Sequence, residues 1–386
     1  MGFRSAHFGT WGAPPDAVAF AALLVGVGFA VAAVVPRTRK ILERALFETP
    51  RVRFAWFVAM AAALLSLGYV AHVLRGGPRI VDATTYLLEA RTFATGHFSF
   101  PAGFPSASTR GRFLVYDEAH GSLAGLFPPG YPLVLSLGVH LGAPLAIGPV
   151  LAAGLALATL VLGARVAREL GHSEASAERI GRAAALFSVG CAVLRYHTAD
   201  TMSHGLAALY TTLALIAALG FRASSSVSVT HALLVGLALG GLVATRPVSV
   251  AAPALACSYL MFAAATSTPR TRAGVVQAAA AMAVGSLPGL ALLVAWQHAV
   301  TGHAFDSPQL VYYATSDGPP GCFRYGFGAG IGCLFEHGDF VRHNLPNGYG
   351  AFAALGTTAR RLKMHLSDAA NLELFAPVLV YAMVAG

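Results

Sequence analysis

The feature that most constrains this chain is a series of apolar runs, separated by short breaks that carry most of its basic residues. Several runs are about 20 residues long, which is the length that an α-helix needs to cross a hydrocarbon core of about 30 Å. Charged residues make up 11% of the 386 positions and hydrophobic residues 56%, whereas a soluble domain carries about 25% charged residues. The sequence therefore predicts an all-α polytopic membrane protein.

The apolar runs predict eight complete spans and a partial ninth. We expect the complete spans at residues 16–35, 54–74, 145–166, 183–194, 204–221, 231–244, 248–265 and 274–299. The run at 372–386 is too short to cross a bilayer, and we interpret it as the beginning of a span that the sequence cuts short. The run at 16–35 is longer than the apolar part of a secretory signal, so we interpret it as a retained span.

Four regions follow from this pattern. Residues 1–53 would form an added N-terminal span and a basic cytoplasmic loop. Residues 54–300 would form the transmembrane core, which includes a long polar loop at 75–131. Residues 301–371 would form a second long loop, and 372–386 the start of a further span.

The net charge of +9 is distributed as membrane topology requires. The strongest short basic loop lies between the first two predicted spans, from Arg37 to Arg53, so we place it in the cytoplasm. The sequence has no basic tract with interleaved aromatic residues, which argues against nucleic acid as a partner. Alternation of the spans then puts both long loops on the extracytoplasmic face of the plasma (inner) membrane.

The first long loop carries Asp82 just past a predicted span. An acidic residue in such a position is costly to keep without a use, so we interpret Asp82 as the centre of an active site at the membrane surface. Residues 83–95 have apolar side chains at helical spacing but are too short and too polar to span, which predicts a helix lying along the interface. After Pro128-Pro129-Gly130, residues 131–141 predict a second helix of this kind.

Four short motifs, in a fixed order, carry a resemblance to a known family. They are Val81-Asp82-Ala83-Thr84-Thr85-Tyr86 with Glu89-Ala90-Arg91 after it, Phe127-Pro128-Pro129-Gly130-Tyr131-Pro132-Leu133, Ala199-Asp200, and Thr245-Arg246-Pro247. Together with the topology of residues 54–308, they resemble the GT-C polytopic glycosyltransferases, which use polyprenyl-phosphate sugars. The protein O-mannosyltransferases and the lipid A aminoarabinose transferase belong to this group. The chain departs from the family pattern where an Asp-Glu pair is often found, because Asp82 is followed by Ala83.

The resemblance implies a GT-C-like bundle that transfers a sugar, with inversion, from a polyprenyl-phosphate donor in the membrane lipid to an acceptor hydroxyl. Asp82 would be the general base, and Asp200 would be the second acidic residue of the site. Guanidinium groups match phosphate oxygens, so arginines would hold the lipid phosphate. The substrate-binding residues would be Arg246, Arg195, Glu89 and Tyr131.

Each of these polar residues also has a purely structural interpretation. Asp82 could cap the helix that follows it, and Asp200 could cap the next span. Arg246 and Arg195 could extend their guanidinium groups from helix ends to water. Asp117, together with Asp82, could bind a divalent cation, although Asp117 could simply keep its loop solvated.

The four cysteines are too few for a disulfide framework. Cys191 and Cys257 lie in apolar runs, and we interpret them as packing residues. Cys322 and Cys333 share the second long loop and could either pair outside the cytoplasm or stay free.

Two other classes of function stay open. A transporter would need broken helices near the bilayer midplane, and Gly285, Pro288 and Gly289 form one such break in the eighth predicted span. A non-catalytic assembly subunit would use the two long loops as docking surfaces. The transferase hypothesis instead predicts that residues 301–371 roof a cavity shared by the catalytic and phosphate-binding residues, since a reacting sugar phosphate must be shielded from water.

Overall fold

Most of the described chain is helical. The structure of the protein is a computed structural model, and it describes residues 24, 35–104, 112–224, 227–267, 272–315, 327–328, 348–369 and 371. The predicted span at 372–386 lies outside these residues, as does most of the predicted span at 16–35. Cys322 and Cys333 also lie outside them.

The helices follow the apolar pattern of the sequence. In chain order they are α1 (Pro36–Glu43), α2 (Arg51–Gly68), α3 (Val81–Ala94), α4 (Gly130–His140), α5 (Ile147–Glu169), α6 (Glu174–Gly190), α7 (Ala192–Ala199), α8 (His204–Ala223), α9 (Val229–Thr245), α10 (Ala251–Ser267), α11 (Arg272–Thr301), α12 (Pro308–Thr315) and α13 (Ala351–Ala369). A π-helical turn, Tyr69–Val73, extends α2. Extended backbone at Cys191 separates α6 from α7, which the sequence shows as one apolar run.

The first long loop contains a small antiparallel sheet that the sequence did not predict. Its strands are β1 (Phe100–Pro101), β2 (Leu114–Asp117) and β3 (Ser122–Gly125), in the order β1-β3-β2. β2 and β3 form a hairpin in which Asp117 pairs with Ser122. Gly121 turns the chain with a φ of 57°, a conformation that glycine adopts without a Cβ penalty.

Five described helical segments are long and apolar enough to cross a membrane. They are Arg51–Val73, Pro144–Glu169, His204–Ala223, Pro247–Ala265 and Ala273–Thr301. Large apolar side chains on α2, such as Trp56, Phe57 and Leu64, are more than half exposed, as expected on a surface that contacts lipid. The structure therefore agrees with the coarse prediction of an all-helical membrane protein.

The chain divides into two compact units. The first unit consists of residues 1–78 and 128–293, and the second consists of residues 79–127 and 294–386. The second unit thus contains most of both long predicted loops, although they are far apart in sequence.

Two of the apolar cores in the first unit each join several helices. α2, α5 and α6 meet at Phe54, Val58, Leu160 and Ala185. α8, α9, α10 and α11 meet at a second core, which includes Cys257. Cys257 and Cys191 are buried and form no disulfide with a described residue, which agrees with their interpretation as packing residues.

Glycines allow α9 and α11 to approach each other closely. A Cβ on Gly289 would collide with the backbone of Gly240, and a Cβ on Gly285 would collide with the backbone of α9 near Gly236. α11 runs without interruption through Pro288. The glycines that the sequence offered as a transporter-like break are therefore the contact surface of a continuous helix, as at small-residue interfaces between membrane helices.

Candidate functional site

α3 presents Asp82 in its first turn. The helix begins after Ile80, which forms no side-chain cap, and the carboxylate of Asp82 accepts a hydrogen bond from its own backbone N–H. The amino end of a helix carries partial positive charge, which favours an acidic residue there. Burial nevertheless raises the pKa of Asp82, because the half-buried carboxylate has lost part of its hydration. Asp82 therefore satisfies one N–H of the first turn, but Ile80 and not Asp82 occupies the N-cap position.

Asp82 and Glu89 lie on one face of α3. They are seven residues apart, which corresponds to about two turns and about 10 Å along the helix axis. Thr85 lies between them, and its Oγ1 donates to the carbonyl oxygen of Arg112 at 3.3 Å and to that of Val81 at 3.0 Å. The bond to Arg112 ties this face of the helix to the segment that enters β2.

Glu89 is buried, with 2% of its surface exposed. Its Oε1 accepts a hydrogen bond from the backbone N–H of Phe127 at 3.0 Å, and its Oε2 has no partner among the described residues. Burial raises the pKa of Glu89 well above its usual range and so favours the neutral acid. Gly125 leaves room for this carboxyl, because a Cβ there would collide with it. Sequence reasoning included Glu89 but did not foresee that its carboxyl is buried.

An aromatic chain lies beside the acidic face of α3. The ring of Tyr86 stacks on that of Phe127 with centroids 4.3 Å apart. The ring of Phe113 lies 5.6 Å from that of Phe127 and 5.6 Å from that of Tyr312, which belongs to α12 in the second long loop. Phe113 has a φ of 55°, which is rare for a bulky residue. Its unusual backbone conformation coincides with the contact between the two loops.

The apolar side of α3 packs inside the second unit. Tyr86, Ala90 and Phe93 are at most 9% exposed. The sequence predicted a helix here and the structure has one. The helix nevertheless does not turn this apolar side outward, as a helix lying in a membrane interface would.

The Pro-Pro-Gly-Tyr motif begins α4 and lies against two polar segments of the first unit. The hydroxyl of Tyr131 donates to the backbone carbonyl oxygen of Asp200 at 3.4 Å. Gly130 contacts the end of α9, because a Cβ there would collide with Ala244 and Thr245. The motif therefore brings Tyr131 and Asp200 together and places the residue before Arg246 next to them.

Asp200 lies in the loop between α7 and α8 and is 3% exposed. α8 begins at His204, and Ser203 precedes it as the N-cap residue. Ser203, and not Asp200, therefore occupies the N-cap position of the next span.

Arg246 follows α9 directly and is half-buried. Its Nε donates to the Oγ of Ser249 at 3.3 Å. Within the described ranges it has no acidic partner at ion-pair distance. Its terminal nitrogens can therefore bind an external anion in the forked geometry that suits phosphate.

Arg195 lies on α7, next to the break at Cys191. It is 1% exposed, and none of its three guanidinium nitrogens has a hydrogen-bond partner in the described part of the chain. The alternative in which Arg195 extends to water requires an exposed guanidinium, and the structure does not show one. A buried unpaired cation is expensive, so an anion that reaches it would be bound strongly.

The remaining titratable candidates have local roles. The carboxylate of Asp117 accepts from the Nδ1 of His120 at 2.6 Å and from the backbone N–H of Ala119 at 2.9 Å. The bond from His120 lowers the pKa of Asp117, which is thus engaged in the β2–β3 turn.

The rings of His197 and His204 contact each other with centroids 4.7 Å apart. No group of three or more potential metal ligands occurs among the residues that the structure describes.

The ion pairs of the first unit gather where α2 and α6 begin and where α5 and α8 end. Arg51 and Arg182 both contact Glu178, at 3.6 and 3.0 Å. The other pairs among the described residues of this unit are Arg168 with Glu174 at 2.8 Å, Arg222 with Glu169 at 2.6 Å and Arg44 with Glu48 at 3.9 Å. Arg195 and Asp200 follow the end of α6 and precede the start of α8, so they lie beyond the opposite ends of those two helices.

The predicted site residues form two groups. Asp82 and Glu89 belong to the second unit, whereas Tyr131, Arg195, Asp200 and Arg246 belong to the first. Convergence of the two groups in one cavity stays a prediction.

The chain was compared with models of protein families, with curated proteins and with solved structures, and none of the three comparisons found a match. The resemblance to GT-C glycosyltransferases therefore rests on the motifs themselves.

Proposed function

We propose that the chain is a membrane glycosyltransferase that moves a sugar from a polyprenyl-phosphate donor to an acceptor hydroxyl on the extracytoplasmic face of the inner membrane. The observation that carries this proposal is the state of Asp82. Its carboxylate is half-buried, has a raised pKa and forms no ion pair within the described chain. A carboxylate whose pKa is closer to neutrality is better suited to accept a proton during catalysis.

The reaction is a single displacement. Asp82 accepts the proton of the acceptor hydroxyl while the acceptor oxygen forms a bond to the anomeric carbon of the donor sugar. The bond between this carbon and the phosphate oxygen breaks, and polyprenyl phosphate leaves with the electron pair. One displacement inverts the anomeric centre, so no second nucleophilic carboxylate is needed. This agrees with α3, where the second acidic side chain on the same face, Glu89, is buried and its burial raises its pKa.

The donor phosphate binds to arginine in this proposal. The described part of the chain gives the terminal nitrogens of Arg246 no partner, and Arg195 is a buried cation whose guanidinium has no hydrogen-bond partner among the same residues. Both lie in the unit that contains the apolar spans, where the polyprenyl chain of the donor would be dissolved. A divalent cation at Asp82 and Asp117 is not required by this scheme, since arginine can neutralise the leaving phosphate.

Asp82→Asn tests the proposal, with transfer of radiolabel from a polyprenyl-phosphate sugar measured in detergent. Transfer should fall by roughly 10²–10⁴-fold, because the amide cannot accept the proton, while donor binding stays unchanged. Asp306→Asn, a matched change at an exposed residue of the second long loop, should keep full transfer. Undiminished transfer by the Asp82→Asn protein would contradict the assignment.

A transporter is the second candidate, because one observation favours it. α6 and α7 are separated at Cys191, and the buried Arg195 lies one turn beyond this break. Discontinuous helices with buried charge form substrate sites in transporters. Uptake of an anion into proteoliposomes that Arg195→Met abolishes and Asp82→Asn leaves intact would favour transport. An assembly subunit would show neither transfer nor uptake.

A further inference from the structure

The amphipathic helix α13 exposes a continuous apolar stripe. Phe352, Leu355, Ala359 and Leu362 follow one another at intervals of three or four residues, so they lie on one side of the helix. Phe352 is 91% exposed, Leu355 66% and Leu362 58%. Single exposed apolar residues are ordinary on a protein surface, but a continuous row of large ones marks a contact surface. We call these four residues the outer stripe.

The opposite side of α13 is the shielded one. Ala353, Thr357 and Met364 lie about half a turn away from the outer stripe and are half-buried. The helix therefore keeps small, polar or flexible residues on its shielded side and its largest apolar residues outside. Packing within the described protein does not account for the outer stripe.

Basic residues flank this stripe. Lys363 follows Leu362 and lies next to the outer stripe, whereas Arg360 lies between the stripe and the shielded side, where its Nη2 donates to the Oγ1 of Thr357 at 3.4 Å. Arg361 is also exposed. The single acidic residue of the helix, Asp368, lies in its last turn. Long basic side chains beside an apolar surface can extend to anionic groups while their methylene stems stay on the apolar side.

A bilayer with anionic headgroups fits this combination better than other occupants. Helices that lie in the headgroup region have an apolar side in the upper acyl chains and basic residues at the level of the phosphates. The same chain contains five described helical segments that could cross a membrane, so the protein is expected to be attached to a bilayer. A second copy of the helix would instead bring the same cations, Arg360 and Lys363, next to each other.

We propose that α13 lies in the interface of an anionic bilayer, with the outer stripe among the upper acyl chains and Arg360 and Lys363 at the lipid phosphates. This helix, and not α3, is then the interface-lying helix of the second unit. The inference does not depend on the proposed transferase activity.

Depth-dependent fluorescence quenching tests this placement in the full chain. Cys322 and Cys333 are changed to Ser, and the buried Cys191 and Cys257 are retained. In this background Leu362→Cys carries an environment-sensitive fluorophore on the outer stripe, and Thr357→Cys carries it on the shielded side as the matched control. Each protein is reconstituted in phosphatidylcholine vesicles with about one-third phosphatidylglycerol, with and without brominated acyl chains.

Brominated lipid should quench the label at position 362 at least about twofold more strongly than the label at 357. Equal quenching at both positions would overturn the proposal. Disulfide formation between two Leu362→Cys copies, without quenching by lipid, would overturn it in favour of a second copy.

The choice of an anionic surface has its own test. Arg360→Gln combined with Lys363→Gln should reduce quenching at position 362 in the phosphatidylglycerol vesicles to the level seen in pure phosphatidylcholine. Quenching that is unaffected by these changes, or that is equal in the two lipids for the unaltered helix, would overturn recognition of anionic lipid.

Discussion

The two ends of the first unit differ in whether their buried arginines are paired with acidic residues. At one end, Arg182 is 4% exposed and its Nε lies 3.0 Å from Glu178, which also contacts Arg51. At the other end, Arg195 is 1% exposed, yet its three guanidinium nitrogens form no hydrogen bond with any described residue. Arg246, near the same end, forms one side-chain hydrogen bond in the described part of the chain, from its Nε to the Oγ of Ser249.

This difference separates charges that stabilise the fold from charges that we propose to bind a ligand. A buried ion pair holds neighbouring helices in place, and removal of one partner leaves an uncompensated charge. A buried unpaired cation stabilises nothing by itself, since its hydration is lost without replacement. The paired end therefore has a structural role, whereas the unpaired end is where an anion would complete the protein.

The strongest test of this comparison makes the same change at both ends. Arg182→Met should lower the free energy of unfolding by about 2 kcal/mol, since it leaves Glu178 without its closest partner and removes a guanidinium 4.8 Å from the ring centre of Phe54. Arg195→Met should leave stability unchanged or raise it, because it replaces an unpaired charge with an apolar side chain. Unfolding by denaturant in detergent measures both. Similar losses of unfolding free energy in the two variants would contradict the different roles assigned to the two ends.

Arg246→Ala should act on binding and leave stability nearly unchanged. We expect the affinity for a polyprenyl-phosphate sugar to fall about tenfold or more, since a charge-assisted contact with phosphate is lost. Arg222→Ala, at the paired end, is the control and should leave donor affinity unchanged. Donor binding by the Arg246→Ala protein at full affinity would remove Arg246 from the site.

Hydropathy was enough to predict most of the long apolar helices. It did not predict the break at Cys191 inside the expected span at 183–194, the sheet, or the burial of the polar groups. The strands Leu114–Asp117 and Ser122–Gly125 are four residues each, which is too short for a clear alternating pattern. Arg195 ends an apolar run, where an arginine normally extends to water, so its burial depends on the three-dimensional packing of α7. The Gly285 and Gly289 spacing was visible, but only the opposing Gly236 and Gly240 show that it is a helix contact.

The sequence was a better guide to which residues are candidates for the site than to their burial and hydrogen bonds. The spacing of Asp82 and Glu89 already places both on one face of a helix. Glu89 is more buried than Asp82 because it packs against Gly125 and accepts a hydrogen bond from Phe127. Gly125 ends β3 and Phe127 follows it, and the sequence did not predict this hairpin. Tyr131 and Asp200 were predicted separately, and their hydrogen bond follows from the docking of α4.

Glu89 extends the comparison to a buried acidic group of the second unit that has no ion-pair partner among the described residues, and it predicts a pH dependence. The unfolded chain releases the proton of Glu89 near pH 4.3, about the usual value, whereas the folded pKa is raised. Stability should therefore be greatest below the unfolded value and fall as the pH rises towards the folded one. Glu89→Gln cannot ionise, so it should remove this fall and be more stable than the natural protein at pH 8 by about 1 kcal/mol.

Glu118→Gln, at an exposed position, is the matched control. Parallel stability–pH curves for the natural protein and Glu89→Gln would show that burial of Glu89 does not control its ionisation.

The smallest expected effect concerns an exposed pair at the paired end. The Nε of Arg168 lies 2.8 and 2.9 Å from the two carboxylate oxygens of Glu174, a geometry as close as that of Arg182 with Glu178. The Arg168 side chain is 36% exposed and that of Glu174 78%, so water and salt screen the attraction. Arg168→Gln should therefore change the free energy of unfolding by no more than about 0.5 kcal/mol, and less at high ionic strength. A loss equal to that of Arg182→Met would mean that contact distance, and not burial, decides what an ion pair contributes in this protein. The two ends of the first unit would then differ in whether their charged residues are paired, and burial would no longer be part of the argument.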